Sequence, residues 1–263
     1  TGLVMKALEP IWTEKPETAS RVRGRIEAVL DWASAREFRQ GENPARWRGH
    51  LNTLLPAPSK VRKVKHHAAL PYSEIGAFMT VLRQREAIAA RGLEFLILTA
   101  ARTGEVIGAT WDEIDFAEGV WTVPPDRMKS DKEHRVSLSP EAVEVLEGLR
   151  EVQQSDYIFP GNRAKCPLSN MAFLQLMKRM GRDDLTAHGF RSTFRDWVAE
   201  RTNYSNEVAE MALAHAVGDK VEAAYRRGDL FDKRRRLMND WAEFCANDVG
   251  ADGNVIAIRK PTA

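Results

Sequence analysis

The sequence predicts a mainly α-helical protein with a small antiparallel β-sheet, an α+β fold in two domains. Apolar residues recur at helical spacing along most of the 263 residues. Strand-like segments, rich in β-branched and aromatic residues, are confined to two short stretches near the middle of the chain and one near its end. With 43% hydrophobic residues, the chain can bury one substantial core and a smaller second one.

Residues 1–55 are predicted to form a small domain of a few short helices. Their apolar face and the aromatic residues that follow it are Val22, Ile26, Val29, Leu30, Trp32 and Phe38. Residues 56–67 combine prolines with lysines and arginines, which predicts a basic interdomain linker.

Residues 1–67 carry 13 Lys/Arg against 7 Asp/Glu, whereas residues 68–263 carry 26 against 30. This asymmetry suits a segment that contacts a polyanion, although a solvated helical face explains the charge alone equally well.

Residues 68–246 are predicted to form the larger domain. One helix, with Leu93, Leu96 and Ile97 on its apolar face, is expected to end at Arg102, with Gly104 as its stop signal. Two strands, 120–123 and 135–138, are predicted to form a hairpin, and Ser139 is the expected cap of the next helix. The apolar face of that helix is Ala142, Val145, Leu146 and Leu149.

Five later helices are predicted at 169–180, 187–201, 205–215, 219–227 and 232–246. The last of them presents Leu237, Trp241, Phe244 and Cys245 on one side. Residues 247–263 form a tail in which 253–259 is rich in β-branched residues, so this segment is expected to be a strand that pairs with another sheet edge.

Composition excludes several classes of protein. No apolar run approaches the ~18 residues that a membrane-spanning helix requires. No signal-peptide core follows the first residues. Cys166 and Cys245 have no metal-ligand spacing and form no disulfide framework, so a reducing compartment is expected.

A set of polar residues in the larger domain could support chemistry at a phosphate. Tyr225 is one of four tyrosines, and a tyrosine can attack phosphorus if cations stabilise the developing charge. Arginine suits that role because its guanidinium is planar, always charged and can donate two bonds at once. The candidates, in chain order, are Arg102, Lys129, His188, Arg191, His215 and Tyr225.

Each of these residues, taken singly, has an ordinary structural explanation. Arg102 could be a charge that stabilises the end of its helix, and His188 with Arg191 could be a solvent-facing pair. His215 could be a structural histidine, and Tyr225 a buried aromatic residue with a bonded hydroxyl. Lys129 could be a surface lysine, and on spacing Lys132 is a close rival to it. The hypothesis therefore depends on the whole ordered set.

The motifs around these residues resemble those of tyrosine recombinases, in particular phage and genomic-island integrases. The similar segments are Ala101-Arg102-Thr-Gly-Glu105, Trp111-Asp-Glu-Ile-Asp115, Arg127-Met-Lys129, His188-Gly-Phe-Arg191 and Leu213-Ala-His215. Residues 68–246 resemble the family's catalytic domain, and residues 1–55 resemble the end of its helical core-binding domain. Members of this type usually carry a further N-terminal arm-binding domain, so the chain, which begins at Thr1, is expected to be a fragment.

The resemblance implies a transesterification in which Tyr225 attacks a DNA phosphate and forms a 3′-phosphotyrosine. Arg102 and Arg191 would hold the phosphate, His188 and His215 would assist by hydrogen bonding or proton transfer, and Lys129 would be the general acid. Glu105 would orient the site. Neither a metal nor another cofactor is implied. Lys60, Arg62, Lys63 and Lys65, in a linker that the family places across the DNA backbone, are the expected DNA contacts.

The resemblance also implies partners and a location. The expected partners are double-stranded attachment sites, three further copies of the chain on DNA, and DNA-bending and directionality factors; without DNA a monomer is expected. The tail would dock on a neighbouring subunit. The protein would be cytoplasmic and nucleoid-associated, of bacterial or phage origin. The alternative functions are a DNA-binding protein of this fold that does not cut, and an activity like that of type IB topoisomerases.

Overall fold

The structure is a computed structural model, and it describes residues 1–61, 68–128, 130–163, 165–215 and 228–247. The chain divides into two compact units, residues 1–66 and 67–263. The helix expected at 219–227 and the strand expected at 253–259 lie outside the described residues. Among the helices in these described ranges, none has the length and hydropathy of a membrane-spanning segment.

The first unit is built on two helices, α1 (Gly2–Trp12) and α2 (Pro16–Ala35), followed by a 3-10 turn (Leu51–Thr53) and the single-turn helix α3 (Pro58–Val61). Its buried core consists of Val4, Leu8, Trp12, Ala19, Ala45, Leu51 and Leu55. The Trp12 ring stacks on Trp47 at 5.5 Å between centroids. The Trp12 indole N–H donates to the carbonyl of Pro56 at 2.9 Å, so α1 is bonded to the segment that begins the predicted linker.

The structure corrects two expectations for this unit. The helix α2 is 20 residues long, so the prediction of only short helices is wrong. Val29, Trp32 and Phe38 are 63%, 55% and 71% exposed, so they are not part of the buried face. At 100° per residue, Val29 is turned about 80° from the fully buried Ala19, which marks the side of α2 that faces the core.

The second unit is mostly helical around one small sheet. Its helices are α4 (Ile75–Arg83), α5 (Ile88–Thr99), α6 (Thr103–Ile107), α7 (Pro140–Arg150), α8 (Ala172–Arg179), α9 (Gly189–Arg201), α10 (Asn206–Ala212) and α11 (Phe231–Ala246). Three 3-10 turns lie at Tyr72–Glu74, Trp111–Glu113 and Pro125–Arg127. The mainly α architecture with a small antiparallel sheet is therefore confirmed.

The sheet has three antiparallel strands in the order β1 (Ile114–Asp115), β2 (Val120–Val123) and β3 (His134–Ser137). The predicted hairpin is the β2–β3 pair, in which Val120 pairs with Ser137 and Val123 with His134. The two-residue strand β1 was not predicted, because it is too short to show alternation.

Helix α5 lies at the centre of the core and is buried along most of its length. Phe95 of α5 packs against Trp121 and Phe159, with ring centroids 5.3 and 5.6 Å away. The Trp241 indole of α11 donates to the carbonyl of Ile97 at 2.8 Å. Through these contacts α5 fixes the sheet and the last helix around the segment that leads to Arg102.

The apolar faces predicted for α5 and α7 are buried as expected. The expected helix end near Arg102 is wrong, however. Helix α5 stops at Thr99, because Ala100 takes the left-handed conformation with φ 49°. Arg102 precedes the start of α6, and Gly104 lies inside α6 instead of ending a helix.

Candidate active site

Arg102 is fixed at the N-terminal end of α6 by the carboxylate of Glu105. Glu105 Oε2 accepts the backbone N–H of Arg102 at 2.8 Å, and its Oε1 accepts the guanidinium Nη1 at 2.6 Å. Glu105 is 5% exposed, whereas the Arg102 side chain is 26% exposed. The buried carboxylate thus orients the arginine, and part of the guanidinium remains accessible to solvent.

Arg127 fixes the other side of this turn. Its Nη2 donates to the backbone carbonyl of Glu105, and its Nη1 pairs with Glu113. Glu113 also accepts the indole N–H of Trp121 at 2.8 Å. Because Arg127 belongs to the β2–β3 connection, this network joins the Arg102 turn to the hairpin that carries Lys129.

Arg191 lies in the first turn of α9 and is buried, with 4% exposure. Its Nη1 donates to the carbonyl of Ala100, and its Nη2 donates to the carbonyl of Leu213 at 2.6 Å. Its Nε is buried and has no acceptor among the described residues. Burial and the nearby charge of Arg102 lower the pKa of Arg191 to about 10, so the guanidinium remains charged near neutral pH.

His215 is the last residue of a Schellman motif at the end of α10. The Ala214 N–H donates to Met211 and the His215 N–H donates to Glu210, at 3.1 and 2.9 Å, with Ala214 in the left-handed conformation. His215 Nε2 lies 3.1 Å from Arg191 Nη2. Its Nδ1 lies 2.7 Å from Glu210 Oε2.

The two arginines and His215 come together at the end of α10. Arg102 Nη2 donates to the Ala214 carbonyl at 3.1 Å and more weakly to that of Leu213 at 3.4 Å. The Leu213 carbonyl thus receives a bond from both arginines. Two guanidinium groups that share one acceptor, with an imidazole beside one of them, form a site that suits a phosphate, whose oxygens can accept several charge-assisted bonds.

His188 lies immediately before α9 and is exposed. The backbone N–H of Gly189 donates to Thr186, and that of Arg191 to His188, so these two donors are not available to a ligand. A Cβ on Gly189 would lie 2.0 Å from the carbonyl oxygen of Ala68. The glycine of this motif therefore permits close packing of α9 on the first residues of the second unit.

Two of the three described tyrosines are unsuited to attack phosphorus. The hydroxyl of Tyr72 donates to Glu200 at 2.9 Å, and this bond, with burial, raises the pKa of Tyr72. Burial and the bond to Asp240 at 2.6 Å raise the pKa of Tyr204 well above its usual value. A raised pKa disfavours the phenolate that a nucleophile requires.

Five predicted site residues, including the nucleophile and the general acid, lie outside the described residues: Tyr225, Lys129, Arg62, Lys63 and Lys65. Lys60 is exposed in α3. Lys132 is exposed in the β2–β3 connection. The choice between Lys129 and Lys132 therefore stays open.

The structure adds three groups that the sequence did not single out. Glu210 holds His215 from five residues upstream, a spacing that depends on the Schellman turn and gives no helical signal. Arg234 donates to the carbonyl and the carboxylate of Asp229 at 2.8 and 2.7 Å, and to the carbonyl of Arg135. These bonds attach the start of α11 to strand β3.

The third group is His134 at the start of β3. Burial and the charge of Arg234 lower the pKa of His134 to about 4, although Glu105 and a hydrogen bond to the Ala212 backbone act in the opposite direction. Its ring is therefore neutral near pH 7.

In the described part of the chain, no cluster of three or more His, Cys, Asp or Glu side chains is arranged to hold a metal ion.

The Phage integrase family matches residues 69–229, which include Arg102, Arg191 and His215. The chain belongs to this family. The Phage integrase central domain matches residues 1–50, which make up most of the first unit. The family match thus covers both compact units.

Named relatives of this integrase-family chain include prophage and phage integrases. It is 33% identical to the prophage integrase IntZ of Escherichia coli K12 over 91% of its length and 58% of the relative's. It is 28% identical to the integrase of Enterobacteria phage P4 over 88% of its length and 55% of the relative's. The chain therefore spans somewhat more than half the length of these relatives.

Solved structures confirm the fold at lower sequence identity. The structure of a lambda integrase tetramer bound to a Holliday junction has a TM-score of 0.60 and 17% identity, covering 86% of this chain and 64% of that one. A complex of the Tn1549 transposon integrase with a circular intermediate DNA has a TM-score of 0.59 and 12% identity, covering 86% and 84%.

Proposed function

We propose that the chain contains the core-site-binding and catalytic parts of a site-specific tyrosine recombinase, which integrates or excises a mobile element. The observation that carries the proposal is the convergence of Arg102 and Arg191 on the Leu213 carbonyl, with His215 Nε2 beside Arg191. Membership of the phage integrase family supports the same assignment.

The proposed reaction is a pair of transesterifications. The Tyr225 oxygen attacks a DNA phosphorus and loses its proton, the bond from phosphorus to the 5′ oxygen breaks, and the enzyme holds a 3′-phosphotyrosine. The 5′ hydroxyl of a partner strand then attacks this linkage and releases Tyr225. One phosphodiester is made for each one broken, so no external energy source is required.

Arg102 and Arg191 would neutralise the charge on the non-bridging oxygens, which is the largest electrostatic requirement of this chemistry. His188 and His215 would contribute hydrogen bonds or proton transfer. Lys129, or its neighbour Lys132, would protonate the departing 5′ oxygen. Glu105 would orient Arg102, as its two bonds to that residue suggest.

DNA binding would use both units. We assign residues 1–55 to the core-site-binding domain, 56–67 to the linker, 68–246 to the catalytic domain and 247–263 to a tail that docks on a neighbouring subunit. Lys60, Arg62, Lys63 and Lys65 would contact DNA phosphates. Their charges lie in the part of the chain whose net charge is +6, from 13 Lys/Arg and 7 Asp/Glu in residues 1–67.

Assembly is expected on DNA and not before. The lambda integrase structure is a tetramer on a Holliday junction, and we propose a tetramer of this chain on paired attachment sites, with a monomer in the absence of DNA. DNA-bending and directionality factors would act at this stage, and the protein would be found with the nucleoid.

The direct test uses suicide duplexes that carry DNA from the two ends of the element encoding the chain, with a nick placed so that the cleaved strand end diffuses away. The wild-type protein should form a covalent adduct without ATP or added metal. Tyr225→Phe should bind the same duplex and form no adduct. Tyr157→Phe is the matched control and should form the adduct normally.

The two alternative functions give different results in the same experiment. A binding protein of this fold would shift the duplex in a salt-dependent manner and never form an adduct. An enzyme like a type IB topoisomerase would relax a supercoiled plasmid that contains no element DNA. An adduct that persists in Tyr225→Phe would show that the nucleophile is another residue.

A further inference from the structure

Glu210 connects His215 to the neighbouring helix α9. One of its carboxylate oxygens, Oε2, lies 2.7 Å from His215 Nδ1. The other, Oε1, accepts a bond from Arg195 Nε at 2.9 Å. Arg195 also donates to the side-chain oxygen of Asn206 at the start of α10. The carboxylate is thus held from two sides, with one oxygen for each partner.

These contacts fix the positions of the protons on the His215 ring. A guanidinium can only donate, so His215 Nε2 must accept the bond from Arg191. An ionised carboxylate can only accept, so His215 Nδ1 must carry a proton. The arrangement is satisfied by the neutral imidazole with its proton on Nδ1, and not by the other tautomer.

Glu210 is suited to this role because it stays ionised. Burial opposes ionisation, but the hydrogen bonds from His215 and Arg195 hold the pKa of Glu210 below its ordinary value. The backbone carbonyl of Glu210 accepts the N–H of His215 in the Schellman turn. The same residue therefore holds both the main chain and the ring of His215.

We propose that Glu210 is a positioning residue that holds the His215 imidazole in its Nδ1–H tautomer with Nε2 directed to the two-arginine site. This inference rests on the proposed function for its role in strand cleavage. A carboxylate accepts the Nδ1 proton whether the ring is neutral or protonated. When a phosphate oxygen replaces Arg191 as the partner of Nε2, the ring can therefore take up or release a proton there without turning.

The charged groups around this ring come from three elements. Arg191 on α9 faces Nε2, Glu210 on α10 faces Nδ1, and Arg102 before α6 reaches the adjoining carbonyl of Ala214. Of these three side chains, only that of Glu210 can accept a hydrogen bond from the ring. Its replacement should therefore change the tautomer more than any neighbouring substitution.

Glu210→Gln is a sharp test because Arg195 dictates how the amide must face. Arg195 can only donate, so the amide oxygen turns to Arg195 and the amide NH2 turns to His215 Nδ1. The NH2 then requires an unprotonated Nδ1, which places the ring proton on Nε2 against the N–H of Arg191. Glu210→Gln must therefore lose the bond between Arg195 and the amide, the bond between the amide and Nδ1, or the bond between Arg191 and Nε2.

The first measurement is nitrogen NMR of the histidine rings in the DNA-free protein. The signals of His215, one of six histidines, are assigned by their loss in His215→Asn. The wild-type protein should show an unprotonated Nε2 and a protonated Nδ1, and Glu210→Gln should lose this pattern. A wild-type spectrum with the proton on Nε2 would overturn the proposal, whether or not Glu210→Gln folds.

The second measurement is a rescue in the suicide-duplex assay. Glu210→Gln should cleave at least about tenfold more slowly, since the wrong tautomer of a catalytic histidine is costly. Adding Arg195→Met frees the amide to present its oxygen to Nδ1, so the double variant should cleave faster than Glu210→Gln alone and recover the wild-type ring pattern. Glu243→Gln, exposed on α11, controls for loss of a negative charge.

The outcomes separate this proposal from the proposed function. If Glu210→Gln cleaves at the wild-type rate, or if the double variant is slower than both single variants, Glu210 is not a positioning residue. If the wild-type protein never forms an adduct, the proposed function fails. The ring spectrum still tests whether Glu210 sets the tautomer in that case.

Discussion

Arg191 combines a buried position with a charge that must remain available to a ligand. Its bonds to the carbonyls of Ala100 and Leu213 compensate for the loss of hydration and hold the guanidinium flat between α5 and α10. Both carbonyls lie next to or within turns with a left-handed alanine. The position of the arginine is therefore set by backbone geometry and not by a partner carboxylate.

Arg191→Lys should separate charge from geometry. Lysine keeps the charge, but a single ammonium cannot reproduce bonds to two carbonyls and His215 in one plane. We expect the rate of adduct formation to fall by about 100-fold or more, and the free energy of unfolding by about 1–3 kcal/mol. Arg201→Lys, at the exposed end of α9, is the matched control. A wild-type cleavage rate in Arg191→Lys would show that the fork geometry is not used.

His134 predicts a pH dependence of stability. Its pKa is about 4 in the folded protein and near 6.5 when unfolded. The unfolded chain therefore binds the extra proton between these values, and stability falls as the pH drops through this window. The full loss attributable to His134 is up to about 3 kcal/mol.

The measurement is urea unfolding of the wild-type protein and His134→Gln between pH 7 and 4. The wild type should lose more stability than the variant as the pH falls, because a glutamine side chain takes up no proton. Parallel curves for the two proteins would mean that His134 is not held neutral by burial and by Arg234.

At the scale of elements, the site depends on how helix ends are built. Helix α5 is followed by the left-handed Ala100, the Schellman motif after α10 contains the left-handed Ala214, and α6 begins just after Arg102. These ends place backbone carbonyls where the two arginines can reach them. The start of α9 contributes in a different way, because Gly189 lets this helix pack closely against the backbone of Ala68.

Gly189→Ala should be one of the most damaging single substitutions that adds only a methyl group. The new Cβ would lie 2.0 Å from the Ala68 oxygen and 2.9 Å from its carbonyl carbon, and neither atom can move without shifting the main chain. We expect a loss of about 2–4 kcal/mol in unfolding free energy and slower cleavage through displacement of Arg191.

Gly104→Ala is the control for Gly189→Ala, because nothing lies within 4 Å of the position of its Cβ. Gly104 is inside α6, where alanine is the better helix former. Its unfolding free energy should be unchanged or slightly increased. Equal losses in the two variants, measured by thermal or urea unfolding, would contradict the packing account.

The elements that could be predicted from the sequence are those with a long, uninterrupted period. The buried face of α7 and its Ser139 cap follow from residue type and spacing, and the cap bond to Ala142 is present at 3.3 Å. The end of α5 could not be predicted, because a left-handed alanine carries no signal in the sequence. For the same reason, the prediction that Gly104 ends this helix is wrong.

Within the site, the cationic residues could be predicted from the sequence, but the contacts that hold them in place could not. Arg102, Arg191 and His215 belong to motifs that can be recognised as a set. Glu210 could not be found, since its bond to His215 spans five residues across a turn. Arg127 stands in a recognised motif, but its bond to the Glu105 carbonyl depends on how the hairpin packs on α6.

At the scale of the whole molecule, the two compact units differ in charge and in content. Residues 1–67 carry a net charge of +6, from 13 Lys/Arg and 7 Asp/Glu, and residues 68–263 a net charge of −4, from 26 and 30. The arginines of the site are thus local cations in a domain that is acidic as a whole. The first unit and the linker are better placed to supply general affinity for a polyanion.

A variant with Lys60, Arg62, Lys63 and Lys65 all changed to Gln should bind DNA more weakly at every sequence. The slope of log K against log salt concentration should become shallower by about 0.9 for each DNA phosphate that the variant no longer neutralises. Fluorescence anisotropy across a salt series measures this slope. Lys165 and Lys178 changed to Gln provide a charge control in the second unit, and an equal change of slope in the control would contradict the assignment.

We propose that Tyr225 carries the DNA phosphate at a site formed by Arg102 and Arg191. The most direct measurement is proteolysis of the suicide-duplex adduct followed by mass spectrometry of the nucleotide-bearing peptide. We expect a phosphodiester on the peptide that contains Tyr225, and no adduct in Arg102→Ala or Arg191→Ala. A phosphodiester on Tyr72, Tyr157 or Tyr204, or undiminished adduct in either arginine variant, would contradict it.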